Sequence, residues 1–390
     1  MIYLDNASTT QIAPSVLEEM MPYLKEQFGN PGTVYELGRN AHDAVQKARK
    51  QVADFIGAEP EQIIFTSGGT EANNLAIYGV MYDNFDDRIA VSRVEHDSIL
   101  RSVDAHANPV FINVDSNCVV SVQEVERILS KYHDSVRHNN IRMVSVMYVN
   151  NETGAVNPVK EIADLCKRYG VLFHTDCVQA AGCQPIDVKE IGCDFLSISS
   201  HKIHGAKGAG ALFVRDKDLL PMHLIYGGAS QEFGVRGGTE NVAGIVGFGK
   251  ACELAMYGRE DYEKTVLYYK QSFYNKLIDK LKKDNLDEII KVNGEAIQNS
   301  SGKTLNILVQ GVDAETLVLM MDAQGVCISA GAACKSHESK PSHVLLAMGL
   351  TPGQARSSVR VSFSEFNTYA EIEKAACILA NCIKVLRGAV

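Results

Sequence analysis

The chain has no run of the roughly eighteen or more apolar residues that a membrane-spanning helix needs, no internal repeat and no low-complexity tract. It has no basic cluster, and its formal net charge is −9, which argues against nucleic acid or an anionic membrane surface as the main partner. Its start, Met1-Ile2-Tyr3-Leu4-Asp5, lacks the basic residues and apolar stretch of a signal peptide, so a cytoplasmic location is expected. Ten cysteines in 390 residues are too few for a disulfide scaffold, and none stand in the CxxC spacing of a zinc or redox site. Most are expected to be reduced, buried, small hydrophobes; Cys166, Cys252, Cys377 and Cys382, in helix-like apolar stretches, fit that habit. The GxGxxG fingerprint of a nicotinamide-binding domain is missing after the first strand.

What is present is the composition of a globular enzyme, 46% hydrophobic and 22% charged, with length for one large core and a lesser one. Apolar strand-like runs alternate with helical patterns. Gln62–Thr66, Arg88–Ser92, Pro109–Ile112, Met143–Tyr148, Val171–Asp176 and Asp194–Ile198 are predicted strands, and Arg39–Ile56 and Val159–Tyr169 lie among the predicted helices. This alternation predicts an α/β fold, a mainly parallel sheet with helices on both faces. Sites in such sheets lie beyond the carboxyl ends of the strands. His96, Asn151, Asp176 and the group from Ser199 to Lys202 all fall there. Helices are expected over Val242–Tyr257, closing the large domain, and from Tyr262 to about Lys283, opening the small one.

Lys202 follows a buried strand and precedes a glycine-rich loop. A lysine held there loses hydration, which lowers its pKa and frees the amine to attack a carbonyl and form a Schiff base; taken alone it could equally be a solvated loop lysine. Pyridoxal phosphate (PLP) needs such a lysine, a carboxylate for its pyridine nitrogen and an anion cradle for its phosphate. Ser67-Gly68-Gly69-Thr70, between a strand and a helix, would aim free N–H groups at an anion, or would be an ordinary helix cap. Cys334 sits among small residues with Lys335 and His337 nearby, an arrangement that favours a reactive thiolate. Arg360, flanked by apolar strand residues, calls for either a bound carboxylate or an internal salt bridge.

Together these segments resemble the NifS/IscS-type cysteine desulfurases, PLP enzymes of the aspartate-aminotransferase fold in the class-V aminotransferase family. The resemblance runs from Tyr3-Leu4-Asp5-Asn6-Ala7 to Arg360-Val361-Ser362-Phe363. It implies a large PLP-binding domain over residues 15–258, and a small α/β domain of residues 1–14 and 259–390 that carries the Cys334 loop. It further implies that Lys202 holds PLP and moves the substrate proton, that Asp176 pairs with the pyridine nitrogen, and that Gln179 bonds the ring hydroxyl. His96 would stack on the ring and handle protons. Gly69, Thr70, Ser199 and His201 would bind the phosphate, with Thr239 reaching in from a second subunit of a homodimer. Asn151 and Arg360 would hold the carboxylate of L-cysteine. Cys334 would take the sulfur as a persulfide, leaving alanine, and pass it to an acceptor protein in iron–sulfur cluster assembly, tRNA thiolation or DNA sulfur modification. A selenocysteine lyase or another PLP lyase of this fold is the alternative; it would work without Cys334. Cys177-Val178, between Asp176 and Gln179, departs from the family pattern and would set a second thiol near the ring; Ser-Ser before His201 and Lys335 after Cys334 depart as well.

Overall fold

Fully buried strands have two apolar faces, and this property organises the centre of the molecule. The computed structural model describes residues 1–82, 87–132, 140–220, 231–330 and 340–389. A short strand, β1 (Ile2–Tyr3), opens the chain; β2 (Ile63–Thr66), β3 (Arg88–Ser92), β4 (Asn108–Ile112), β5 (Ile141–Ser145), β6 (Leu172–Asp176), β7 (Phe195–Ser199) and β8 (Gly210–Val214) follow. β2 to β8 form one seven-stranded sheet in the order β2-β8-β7-β6-β5-β3-β4. β3 pairs in parallel with β4 and β5, β5 with β6, and β6 with β7, whereas β8 runs antiparallel to both β7 and β2.

Successive residues of a strand point to opposite faces, so each strand feeds two cores. Phe65, Ala90, Val144, Leu196, Ala211 and Phe213 pack with the helices Glu36–Ile56 and Val159–Tyr169. Their neighbours Ile64, Ile89, Val91, Met143, Phe195 and Leu212 pack on the other face with the helices Gly69–Met81 and Asp97–His106. That is the expected mainly parallel sheet covered on both sides.

A second core surrounds a smaller antiparallel sheet. It is built from β9 (Ile290–Val292), β10 (Thr304–Val309), β12 (Ser329–Ala330) and β13 (Ser358–Ser362), in the order β12-β13-β10-β9, while β11 (Val326–Cys327) pairs in parallel with β1. The helices Ala314–Ala323 and Tyr369–Leu386 cover it.

Two expectations about elements are corrected. The two helices expected on either side of residue 258 are one helix, Val242–Lys282. Its first part packs Phe248, Ala251 and Cys252 into the large core, and its second packs Val266, Phe273 and Leu277 into the small one. Gly258 weakens a helix interior by about 1 kcal/mol, and anchorage at both ends overrides that. β5 ends at Ser145 rather than Tyr148: Val146 and Met147 remain buried, but the chain turns toward Asn150, whose carbonyl accepts the N–H of Gly154. Of the four cysteines expected to be buried in helices, Cys166, Cys252 and Cys382 are buried and Cys377 is half-buried.

Candidate active site

The carboxyl ends of β2, β3, β5, β6 and β7 deliver their following turns to one cavity of about 470 Å³. Gly69, Thr70, His96, Asn151, Asp176, Gln179, Ser199, His201, Lys202 and Arg360 all line it. Thr239 is exposed and lies outside the cavity of its own chain. Cys334, with Lys335 and His337, lies outside the described residues.

Lys202 ends the 3₁₀ turn Ser200–Lys202 that follows β7. Its Nζ donates to the main-chain oxygens of Ala7 (2.7 Å) and Ser8 (2.6 Å). Burial, and then the cations Lys303 and Arg360, push its pKa down to about 7. An amine in that range is a base and a nucleophile near neutral pH.

Asp176 closes β6 and is buried. Its Oδ1 accepts the N–H of Val178 (2.8 Å), and its Oδ2 accepts from Asn73 Nδ2 (2.8 Å). Burial holds its pKa above the usual carboxylate range, so the site presents a desolvated carboxyl that gains from a cationic partner. His96 caps the helix Asp97–His106, with Nδ1 accepting the N–H of Ser98 at 3.1 Å. Burial lowers its pKa; in the neutral ring the proton then sits on Nε2.

The helix Gly69–Met81 starts without a side-chain cap, which leaves its first N–H groups and positive end facing the cavity. The turn before it is tightly packed. Gly68 has φ 154°, and a Cβ on Gly210 of β8 would meet Gly68 Cα at 2.6 Å. His201 lies opposite, its Nδ1 3.1 Å from Thr9 Oγ1, with its pKa pushed down to about 4 by burial and then by Lys202.

Arg360, on β13, forms a salt bridge to Asp5 (Nη2 to Oδ1, 2.8 Å) and donates Nη1 to the main-chain oxygen of Asn151 (3.0 Å). The internal salt bridge is thus present, and the Nε group is still left over. Among the described residues, five buried atoms of cavity-lining residues have no hydrogen-bond partner: Asn73 Oδ1, Asn151 Oδ1, Gln179 Oε1, Ser199 Oγ and Arg360 Nε. Buried polar atoms are normally satisfied. Orphans gathered on one cavity, with an uncapped helix start, a buried carboxyl and a desolvated lysine, fit PLP with an amino-acid carboxylate next to it.

The expectation for Cys177 is corrected. Its side chain belongs to the large hydrophobic core and does not line the cavity, and burial raises its pKa well above the usual thiol value. Because successive strand-end residues alternate faces, Asp176 and Cys177 point apart.

Sequence reasoning missed the segment Asp5–Thr10. Besides meeting Arg360 and Lys202, Ala7 accepts from Gln179 Nε2 at 2.8 Å, and Thr10 Oγ1 donates to the His201 carbonyl at 3.0 Å. It also missed Asn73, Glu152 and His343, which line the cavity. Asn73 had a signal, standing one helical turn into the helix that opens at Gly69; His343 had none.

The aminotransferase class-V family profile matches residues 2–375. The cysteine desulfurase IscS of Methanosarcina thermophila is 38% identical, covering 99% of this chain and 93% of that protein. The cysteine desulfurase IscS of Clostridium botulinum strain Hall is 39% identical, covering 99% of this chain and 95% of that protein. Among solved structures, a NifS-like protein from Rickettsia africae superposes with a TM-score of 0.84 at 31% identity, covering 100% of this chain and 99% of that one.

Proposed function

This chain belongs to the class-V aminotransferase family, and from that premise and the geometry of the cavity we propose that it is a PLP-dependent cysteine desulfurase. The observation that carries the reading is the meeting of Lys202, Asp176, His96, the Gly69 turn and Arg360 on one cavity.

Lys202 would hold the cofactor through its amine, Asp176 would face the ring nitrogen, Gln179 the ring hydroxyl, and His96 the ring face. Gly69, Thr70, Ser199 and His201 would hold the phosphate, with Thr239 supplied by a second copy of the chain in a homodimer. When bound, PLP supplies an electron sink for the pair released at the substrate α-carbon.

The remaining work falls to side chains of this protein. Arg360 and Asn151 orient the carboxylate of L-cysteine, the guanidinium by its planar fork. Lys202, desolvated and with its pKa pushed down to about 7, takes the α-proton. The thiolate of Cys334 attacks the substrate sulfur: an S–S bond forms, the C–S bond breaks, and its electron pair stays with the β-carbon, which takes up a proton, while the α-carbon takes its proton back from Lys202 to give alanine. Sulfur leaves as a persulfide on Cys334, for an acceptor protein in iron–sulfur cluster assembly, tRNA thiolation or DNA sulfur modification. The separate cores support a division into residues 15–258 and residues 1–14 with 259–390, the second part carrying Cys334. No helix among the described residues is long and apolar enough to cross a membrane, and a cytoplasmic location is part of the proposal.

The test is alanine release from L-cysteine with a reductant present, for wild type, Cys334→Ala and Lys202→Ala. Both substitutions should abolish turnover, and Cys334→Ala should keep the absorbance of bound PLP. A Cys334→Ala protein that still releases alanine would overturn the role of the thiol and favour a lyase.

A further inference from the structure

Lys303 stands immediately before β10 and is 1% exposed. Among the described residues it forms no ion pair. Its main-chain oxygen accepts the N–H of Phe363 (2.8 Å), which fixes the backbone at the edge of the small sheet. Its side chain crosses to the back of the catalytic turn, and Nζ donates to the main-chain oxygen of Lys202 at 2.9 Å. An ammonium without a carboxylate is costly to bury, and neither core packing nor the proposed reaction requires one there.

We propose that Lys303 is a positioning residue for Lys202, clamping the carbonyl of that lysine from behind and setting a second cation beside its amine. The inference rests on the reading of Lys202 as the amine that holds the cofactor.

The groups facing each lysine set the sign. Toward Lys202, the cations Lys303 and Arg360 oppose protonation, while the carboxylates Asp5 and Asp176 favour it; burial exceeds all four. The imidazoles His96 and His201 also face Lys202, and both are held below the ordinary histidine value by burial. Lys303 is itself desolvated and feels Arg360, while Cys183 acts in the opposite sense; His201 and His204 are the further titratable groups beside it. A like charge next to a desolvated lysine disfavours its protonated form. Lys303 therefore extends the range in which the Lys202 amine is free toward lower pH. Its hydrogen bond meanwhile ties the turn carrying that amine to the small sheet.

The test is competitive labelling of the PLP-free chain with trace acetic anhydride across a pH series, following the Lys202 peptide by mass spectrometry. Lys303→Met is expected to move the labelling midpoint of Lys202 up by about one pH unit, which lowers its reactivity at pH 7 roughly fivefold. Lys303→Gln, smaller and still able to donate to the Lys202 carbonyl, covers the case in which the methionine variant fails to fold, and is expected to shift the midpoint in the same direction. A merely structural lysine would change thermal stability and leave the midpoint in place. An unchanged midpoint in the glutamine variant overturns the proposal. The readout needs neither PLP nor turnover, so an unchanged midpoint leaves the desulfurase reading standing, and a chain that releases no alanine can still show the shifted midpoint.

Discussion

Glu95 shows how one residue beside the site can set a pH limit on the whole fold. It is fully buried, with Oε1 accepting from Ser92 Oγ (2.5 Å) and from the N–H of Met147 (2.8 Å), while Oε2 has no partner. Burial pushes its pKa up to about 8, from an ordinary 4.5. Between those values the folded chain holds a proton that the unfolded chain has released. The stabilisation is therefore complete below about pH 4.5, declines as pH rises, and is lost above about pH 8. Glu95→Gln mimics the protonated form and should escape this loss. The expected outcome is a gap in apparent Tm that opens by a few degrees in favour of the variant between about pH 5 and about pH 9. A gap that stays flat across that series, measured by circular dichroism, would show that the carboxyl is not protonated in the fold.

At the scale of elements, the Gly68–Gly69 turn depends on β8 lying almost on top of it. A Cβ at position 210 would sit 2.6 Å from Gly68 Cα and 2.9 Å from the Ile198 carbonyl oxygen, both backbone atoms that cannot swing aside. Gly210→Ala is expected to destabilise the protein by about 1–3 kcal/mol, the usual range for an overpacked core, and to weaken PLP binding because the strain falls on the Gly68–Gly69 peptide. Absorbance titration of PLP alongside thermal melts checks both effects; a variant that melts earlier yet binds PLP as wild type does would place the strain elsewhere. This contact also marks what the sequence could and could not reveal. The strand Arg88–Ser92 and the helix Val159–Tyr169 were legible to the residue, because apolar runs, helical periodicity and a following Gly170 are local signals. The chemistry-bearing groups at strand ends were legible for the same reason. The Gly210–Gly68 approach and the hub at Asp5–Thr10 join residues far apart in the chain through backbone carbonyls and single polar side chains, which leave no periodic trace. The 41-residue helix Val242–Lys282 was read as two because its apolar face is interrupted between Cys252 and Val266, where no side chain is buried.

At the scale of the whole molecule, that helix spans both cores, and the cavity lies where they meet: Arg360 comes from the small sheet and Lys202 from the turn after the large one. Thr239 does not reach the cavity of its own chain, although its segment is tied to the start of the helix Gly69–Met81. Arg236 Nε donates to Glu71 Oε1 at 2.8 Å, and Glu71 Oε2 accepts the N–H of Ser67 at 2.7 Å. A homodimer in which Thr239 completes the site of the other copy makes a prediction that a self-sufficient subunit does not. Lys202→Ala removes a site's own amine, and Thr239→Glu sets a carboxylate against the other copy's phosphate position, so each homodimer should be inactive. In a mixed dimer both lesions fall on one site, and the other site has a native Lys202 and a native Thr239. Random reassortment of equal amounts makes half of the dimers mixed, each with one working site of two, so alanine release should recover to about a quarter of wild type. Unfolding and refolding the chains together, against a control mixed only after refolding, measures that recovery. A mixture that stays inactive while sedimenting as dimers, or a Thr239→Glu chain that is fully active by itself, would remove Thr239 from the shared site.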